Sequence, residues 1–261
     1  MNLTITQLYT YPIKGMGGIP LKTAQLSNAG IKLDRAFMLV DPTGLFISQR
    51  SNPALATFNL ELTEDGFLVR FGTGKLEIFP DSDFENGPVI NGQIFQHRML
   101  VQQARPAIND WFSRALNQEV YLVRPAEKRY VENHPGVEIN FPDASQYLIV
   151  GEQSMELLNQ KLDVPLPINR FRPNIVFSGG TPHIEDEFSI LKIGEAQFEF
   201  VKPCGRCKVT TIDQHSGVMG VEPLPTLSSY RLIDSKILFG VYLKWVNEKS
   251  EIHLGANLTL L

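Results

Sequence analysis

The stretch Phe58-Asn59-Leu60-Glu61-Leu62-Thr63 decides the fold class, because apolar and polar residues alternate along it without exception. Such alternation is typical of a β-strand with one face buried and the other in solvent. The turn residues Glu64-Asp65-Gly66 follow, and the next run, Phe67–Phe71, predicts the partner strand. Short strands joined by tight turns favour a β-barrel or β-sandwich.

The same pattern continues in both directions from this hairpin. Leu3, Ile5 and Tyr9 predict an opening strand. Residues 36–41 and 45–50 flank Pro42-Thr43-Gly44, a turn in which proline presets φ and glycine accepts a positive φ. Both flanking segments are therefore predicted strands. Further strands are predicted at residues 119–124, 147–150, 174–177, 188–193, 197–201, 208–212, 239–246 and 258–261.

Two segments have helical spacing instead. In residues 106–117, Ile108, Trp111 and Phe112 recur three and four positions apart, which places them on one helix face. Residues 152–161 predict a second helix, and the polar stretch 125–143 predicts an extended linker. The sequence therefore predicts a mainly β protein with some α-helix, in two β-rich units that meet near residue 120.

Composition excludes several classes of protein. The 261 residues carry 24 Lys+Arg against 28 Asp+Glu, and 43% of them are hydrophobic, which is typical of a globular protein. The net charge of −4 argues against nucleic-acid binding. No apolar run is long enough for a membrane span, and the first residues lack the apolar block of a secretory signal. Two cysteines are too few for a disulfide framework, so we expect a reducing, cytoplasmic location.

The two cysteines, Cys204 and Cys207, lie three positions apart, and this spacing has four interpretations. A structural zinc site needs about four ligands, and only His215 is near in sequence. A thioredoxin-type pair belongs at a helix start, whereas a β-branched run follows here. Two ordinary turn residues are the third interpretation. The fourth is a single thiolate that binds a metal or acts as a nucleophile, favoured by the nearby charges of Lys202, Arg206 and Lys208.

Two further segments carry groups that bind anions. Arg170 and Arg172 lie just before a predicted strand, where guanidinium groups either bind a carboxylate or phosphate or remain in solvent. The glycine-rich bend after Lys14 could hold an anion with backbone N–H groups, although it lacks the order of a Walker A loop. Asp34 and Arg35, further along, could simply pair at the surface.

Taken together, these segments resemble the MOSC-domain family, specifically its members with an N-terminal β-barrel domain. These include the mitochondrial amidoxime-reducing components and their bacterial relatives. The resemblance runs from Tyr11-Pro12-Ile13-Lys14 through residues 34–40 and 171–176 to residues 204–213 and Glu222-Pro223-Leu224. It implies an N-terminal β-barrel-like domain over residues 1–120 and a MOSC-type β-barrel with flanking helices over residues 121–261.

The resemblance also implies a binding site for the molybdenum cofactor, molybdopterin, and no pyridoxal phosphate. The family's metal ligand falls on Cys207, and its phosphate- and pterin-binding lysine and arginine fall on Lys14 and Arg35. Further cofactor contacts fall on Asp143, Ser145, Arg172, Asn174 and Tyr242. Gly15 and Ala144 depart from the family pattern, which has hydroxyl residues at these places.

By the same resemblance, the expected activity is reduction of small N-hydroxylated or N-oxygenated compounds by oxygen-atom transfer at molybdenum ligated by the Cys207 thiolate. The ferredoxin domain and the membrane anchor of some relatives are not in this sequence. We therefore expect a separate reductase or ferredoxin-type protein as electron donor. The alternative is a carrier of the cofactor or of sulfur, with a persulfide on Cys207 and no turnover.

Overall fold

The computed structural model describes residues 2–248 and 251–261. Within these ranges the fold is mostly β, with a closed seven-strand barrel, a half-barrel and three α-helices. The expected fold class, mainly β with some α-helix, is confirmed. Among the described residues, no helix is both long enough and apolar enough to cross a membrane.

The elements are numbered in chain order. The strands are β1 (Leu3–Thr10), β2 (Ile19–Leu21), β3 (Thr23–Ser27), β4 (Gly30–Ile31), β5 (Met38–Val40), β6 (Asn59–Leu62), β7 (Phe67–Phe71), β8 (Gly74–Ile78), β9 (Val89–Ile94), β10 (His97–Gln103), β11 (Tyr121–Pro125), β12 (Arg129–Val131), β13 (His134–Ile139), β14 (Tyr147–Gly151), β15 (Ile175–Ser178), β16 (Ile190–Ile193), β17 (Ala196–Gly205), β18 (Leu232–Ile233), β19 (Lys236–Trp245), β20 (Glu251–His253) and β21 (Asn257–Leu260). The α-helices are α1 (Pro106–Leu116), α2 (Glu152–Asn159) and α3 (Leu224–Arg231).

The closed barrel is a ring of strands from the two ends of the chain. Its order is β14-β15-β1-β21-β16-β17-β19, and β19 pairs with β14 to close it. Only β14 and β15 run parallel within this ring, where Ile149 pairs with Ile175. The interior is apolar, and Tyr147 packs edge-on against Phe198 at its centre. A closed ring leaves no unpaired strand edge among its members.

The half-barrel is built from the chain between these ends. It contains the sheets β5-β11-β10-β9 and β6-β7-β8, and the hairpin predicted from residues 58–71 is β6–β7. Helix α1 covers the half-barrel with Ile108 and Phe112, which are fully buried. Phe58 stacks on Phe71 and contacts Phe112 in the same core.

The strand pairings cross the boundary expected near residue 120. Strand β1 belongs to the closed barrel of the second half, and β5 pairs with β11 just beyond residue 120. The division into units of residues 1–120 and 121–261 therefore stays a prediction. The two halves share strands rather than only a linker.

Three local predictions are wrong. Residues 208–212 form no strand but a 3₁₀ turn, Lys208–Thr211, because the Thr210 hydroxyl donates to the Cys207 carbonyl and stabilises the turn. The linker predicted at 125–143 contains the hairpin β12–β13, and the carbonyl of Glu138 accepts from Gln146 in the barrel. Residues 45–50 make only isolated bridges before turning at Ser48.

His183 gives the fold a measurable pH dependence. Burial lowers its pKa to about 4, and its ring lies 5.9 Å from that of Phe239. The unfolded chain takes up a proton as pH falls through the ordinary histidine pKa of about 6.5, whereas the folded chain does not. We therefore expect the free energy of unfolding to decrease from about pH 6.5 down to about pH 4.

The variant His183→Asn isolates this effect. Asparagine tolerates the left-handed backbone of this position, where φ is 64°, and does not titrate. Urea denaturation at a series of pH values should show a shallower pH dependence for the variant than for wild type. An identical slope for both proteins would contradict the assignment.

Candidate functional site

One pocket at the junction of the two barrels brings the predicted site residues together. Its lining includes all eight positions that the resemblance singles out, namely Lys14, Arg35, Asp143, Ser145, Arg172, Asn174, Cys207 and Tyr242. These residues come from widely separated parts of the chain, so their assembly depends on the tertiary fold. Their roles in binding stay predictions.

Cys207 lies at the edge of the pocket with its side chain exposed. It follows the end of β17 and caps the 3₁₀ turn Lys208–Thr211. The buried Arg170 donates to the Thr211 carbonyl at 2.9 Å and to the Asp213 carboxylate at 3.0 Å. Arg170 thus stabilises the 3₁₀ turn from its buried side. The Cys207 thiol remains exposed at the start of this turn.

Cys204 lines the same pocket but is buried. It is 2% exposed, and its Sγ accepts a hydrogen bond from Arg206 Nη1 at 2.7 Å. The other arm of Arg206 donates to the Phe171 carbonyl at 2.6 Å. Arg206 therefore points inward, to Cys204, and ties the cysteine segment to the segment that carries Arg172.

Lys14 is buried at the base of the pocket. Its Nζ donates to the Phe141 carbonyl at 2.8 Å and forms an ion pair with Asp143. The Asp143 side chain is 58% exposed, and Lys14 and the nearby Arg35 lower the pKa of its carboxyl to about 2. Burial lowers the pKa of Lys14, although Asp143 opposes this shift. The ion pair with Asp143 holds the charged Nζ of Lys14 beside the pocket.

The glycine-rich bend after Lys14 does not present the N–H groups of Met16 and Gly17 to the pocket. The amides of Met16 and Gly17 donate instead to the carbonyls of Ile13 and Phe58. These two N–H groups are therefore used within the fold.

Arg35 and Arg172 lie side by side, and both have left-handed backbones, with φ of 46° and 54°. Arg35 binds both oxygens of the buried Asp34, at 2.8 and 2.6 Å, and its Nη2 donates to the Arg172 carbonyl. Asp34 is thus not a surface partner. Burial and the neighbouring Arg35 lower the pKa of Arg172 to about 10. A non-glycine residue with positive φ costs free energy, and such residues cluster at functional sites.

Two of the other predicted contact residues, Asn174 and Ser145, already form hydrogen bonds within the protein. The Asn174 oxygen accepts from Arg35 and from the Leu148 amide, and the Ser145 hydroxyl donates to the Leu243 carbonyl. Burial raises the pKa of Tyr242 well above its usual value, so its hydroxyl stays protonated. Asn174 and Ser145 therefore fix the positions of their neighbours.

Sequence reasoning missed the arginine nearest to Cys207. Arg50 comes from the half-barrel, and its Nη1 lies 3.6 Å from the Cys207 Sγ. The lysines next to the cysteines in sequence, Lys202 and Lys208, are exposed. Gln49, beside Arg50, exchanges hydrogen bonds with Gln214 across the two halves. No local pattern marks Arg50 or Gln49, because their partners lie more than 150 residues away.

The donor set of the pocket fits an anionic ligand that carries a soft metal. Among the described residues, the lining has five basic side chains and one acidic side chain, listed here together: Lys14, Arg35, Arg50, Arg172, Arg206 and Asp143. Guanidinium and ammonium groups bind phosphate, and thiolate is a ligand that soft metals prefer. No cluster of three or more His, Cys, Asp or Glu that could hold a metal ion occurs in the described ranges.

Family models match both halves of the chain. The MOSC N-terminal beta barrel domain matches residues 2–119, and the MOSC domain matches residues 136–259. The chain belongs to the MOSC-domain family. The resemblance seen in the sequence is therefore confirmed. All strands of the closed barrel except β1 come from the MOSC match.

Three curated relatives show how this MOSC protein compares with longer chains. It is 29% identical to mitochondrial amidoxime-reducing component 1 of Homo sapiens, over 88% of this chain and 73% of that one. It is 28% identical to mitochondrial amidoxime reducing component 2 of Bos taurus, over 92% and 78%. It is 30% identical to the molybdenum cofactor sulfurase of Arabidopsis thaliana, over 96% of this chain. The match spans only 34% of that sulfurase.

Proposed function

We propose that this MOSC protein is a molybdenum-cofactor-dependent reductase of small N-hydroxylated or N-oxygenated compounds. One observation carries the proposal: an exposed thiol, Cys207, shares a pocket with an excess of buried or half-buried cations. Relatives named amidoxime-reducing components support the reaction class.

The residues of the pocket divide into two groups in this proposal. Lys14, Arg35 and Arg172 would hold the phosphate of molybdopterin, and each charge-assisted hydrogen bond contributes about 1.5–3 kcal/mol. Cys207 would ligate the metal, since coordination removes the thiol proton and thiolate is a soft donor. When bound, the cofactor supplies two-electron oxygen-atom transfer.

Side chains around the thiol would shape the substrate site. Phe46 and Phe95 line the same pocket, and their rings lie 5.7 Å apart, edge to face. This pair would give the substrate site an apolar wall, while Arg50 places a positive charge beside Cys207. The protonated Tyr242 hydroxyl can donate a hydrogen bond to an oxygen of the substrate. A small N–OH compound matches this combination of apolar walls and donors.

The test is expression of the full chain in a host that makes the molybdenum cofactor. We expect near-stoichiometric molybdenum, release of a pterin on denaturation, and reduction of a hydroxylamine or amidoxime with an artificial electron donor. Electrons would come in the cell from a separate reductase or ferredoxin-type protein. Protein that lacks molybdenum under these conditions would refute the proposal.

The relatives named molybdenum cofactor sulfurase favour a second candidate, a carrier of the cofactor or of sulfur. The exposed Cys207 would then bear a persulfide. This candidate predicts cyanide-releasable sulfur on Cys207 and stable cofactor binding without reduction of any N-hydroxylated compound. The same preparation therefore separates the two functions.

A further inference from the structure

Tyr11 lies buried beside the two arginines of the pocket but is not in its lining. It is 2% exposed, and its ring centroid lies 4.2 Å from the guanidinium carbon of Arg35 and 4.4 Å from that of Arg172. Both distances are well within the range of a cation–π interaction. A single ring thus contacts both guanidinium groups.

Four further contacts fix the position of this ring. The Tyr11 hydroxyl donates to the Pro173 carbonyl at 3.0 Å, and the Tyr11 amide donates to Asp34 at 2.9 Å. The Tyr11 carbonyl accepts from the Arg35 amide at 2.8 Å. On another side, a β-carbon at Gly18 would lie 2.5 Å from the ring, so only glycine permits this approach. Tyr11 is therefore connected to the backbone of both arginine segments.

Two adjacent guanidinium groups repel each other, and this repulsion acts before any anion arrives. The repulsion contributes to the lowered pKa of Arg172, which burial and Arg35 together bring down to about 10. Asp34 neutralises Arg35 directly, whereas Arg172 has a longer contact, 3.3 Å, to the uncharged Gln214. Asp143 and Asp34 offset part of the Arg172 charge from a distance, and the negative face of the Tyr11 ring does so in direct contact with the guanidinium group.

We propose that Tyr11 is a positioning residue that preorganises Arg35 and Arg172 for a phosphate group. This inference rests on the proposed function and adds a residue that does not itself touch the ligand. The ring holds both guanidinium groups in one arrangement. The conformational entropy of the two arginine side chains is therefore lost during folding and does not oppose binding of the phosphate. The hydrogen bond from its hydroxyl to Pro173 is one of several contacts that hold the ring, so loss of the hydroxyl alone should change the arrangement little.

The test changes the electrostatics of the ring at nearly constant shape. Inorganic phosphate is titrated into the cofactor-free full chain by calorimetry for Tyr11→Phe and for Tyr11→pentafluorophenylalanine. Fluorination removes the negative ring face. We expect Tyr11→Phe to bind phosphate nearly as well as wild type, and the fluorinated variant to bind about tenfold more weakly. Graded fluorination should give a graded loss, which a purely structural role would not.

Matched fluorination of Phe198, in the core of the closed barrel, controls for general effects on stability. Equal phosphate affinity in Tyr11→Phe and the fluorinated series would overturn the proposal, as would a wild-type chain without saturable phosphate binding. If the fully fluorinated variant fails to fold, the mono- and difluorinated variants decide the outcome. Because this readout needs no molybdenum, it remains valid if the metal analysis contradicts the proposed reductase.

Discussion

Replacing Cys207 by serine should remove molybdenum and turnover together. The serine hydroxyl keeps nearly the same size, but it is a hard donor that stays protonated at neutral pH. Even partners that only orient a ligand change metal affinity or activity by about 10–100-fold, so loss of the ligand itself should reach at least about 100-fold. Elemental analysis beside a reductase assay of wild type and Cys207→Ser measures both effects.

The control is the second cysteine. Cys204 is buried and bonded to Arg206, so Cys204→Ser should lower stability and leave most of the molybdenum in place. The pair of variants separates metal ligation from maintenance of the loop. A Cys207→Ser protein that keeps its molybdenum, or a Cys204→Ser protein that loses it while folded, would contradict the assignment of Cys207 as the ligand.

Removing one arginine of the pocket should weaken binding of phosphate and of the cofactor. In Arg172→Gln the side chain stays polar but loses its charge, and a charge-assisted hydrogen bond of about 1.5–3 kcal/mol corresponds to about 10- to 100-fold in affinity. The decrease should be larger at low salt, since charge attraction is screened at high salt. Phosphate calorimetry and retention of molybdenum after dialysis measure the effect.

Arg105 offers a matched control for this substitution. It forms an ion pair with Asp83 at 2.6 Å in the half-barrel and does not line the pocket. Arg105→Gln should therefore change phosphate affinity little. Equal affinities for wild type and Arg172→Gln would show that Arg172 does not bind the anion.

Local patterns were enough to predict much of the fold. The alternation in residues 58–63 indicates β6, and the spacing of Ile108 and Phe112 indicates α1, because these signals come from neighbouring residues. The strand prediction for residues 208–212 was wrong because β-branched residues favour a strand only when a partner strand is available. Here threonine hydroxyls and Arg170 stabilise a turn instead.

The site followed from the resemblance to a family rather than from residue chemistry alone. From sequence, the Cys204–Cys207 pair had four interpretations, and Arg35 could have been a surface residue. The sequence did not show which arginine contacts which cysteine. Arg206 donates to Cys204, whereas Arg50, from the half-barrel, lies beside Cys207. Tyr11 appeared only as part of a motif, because its contacts join segments about 160 residues apart.

Closure of the seven-strand barrel requires strands from both ends of the polypeptide, since β1 pairs with β15 and with β21. During synthesis on a ribosome, β1 can pair early with β2, but its barrel neighbours β15 and β21 are made much later. The half-barrel contains its own strands from residue 38 to residue 125 and can assemble first. Such long sequence separations slow folding. The loop that carries Cys207 and the arginines of the pocket consequently reach their common geometry only after β21 has been made.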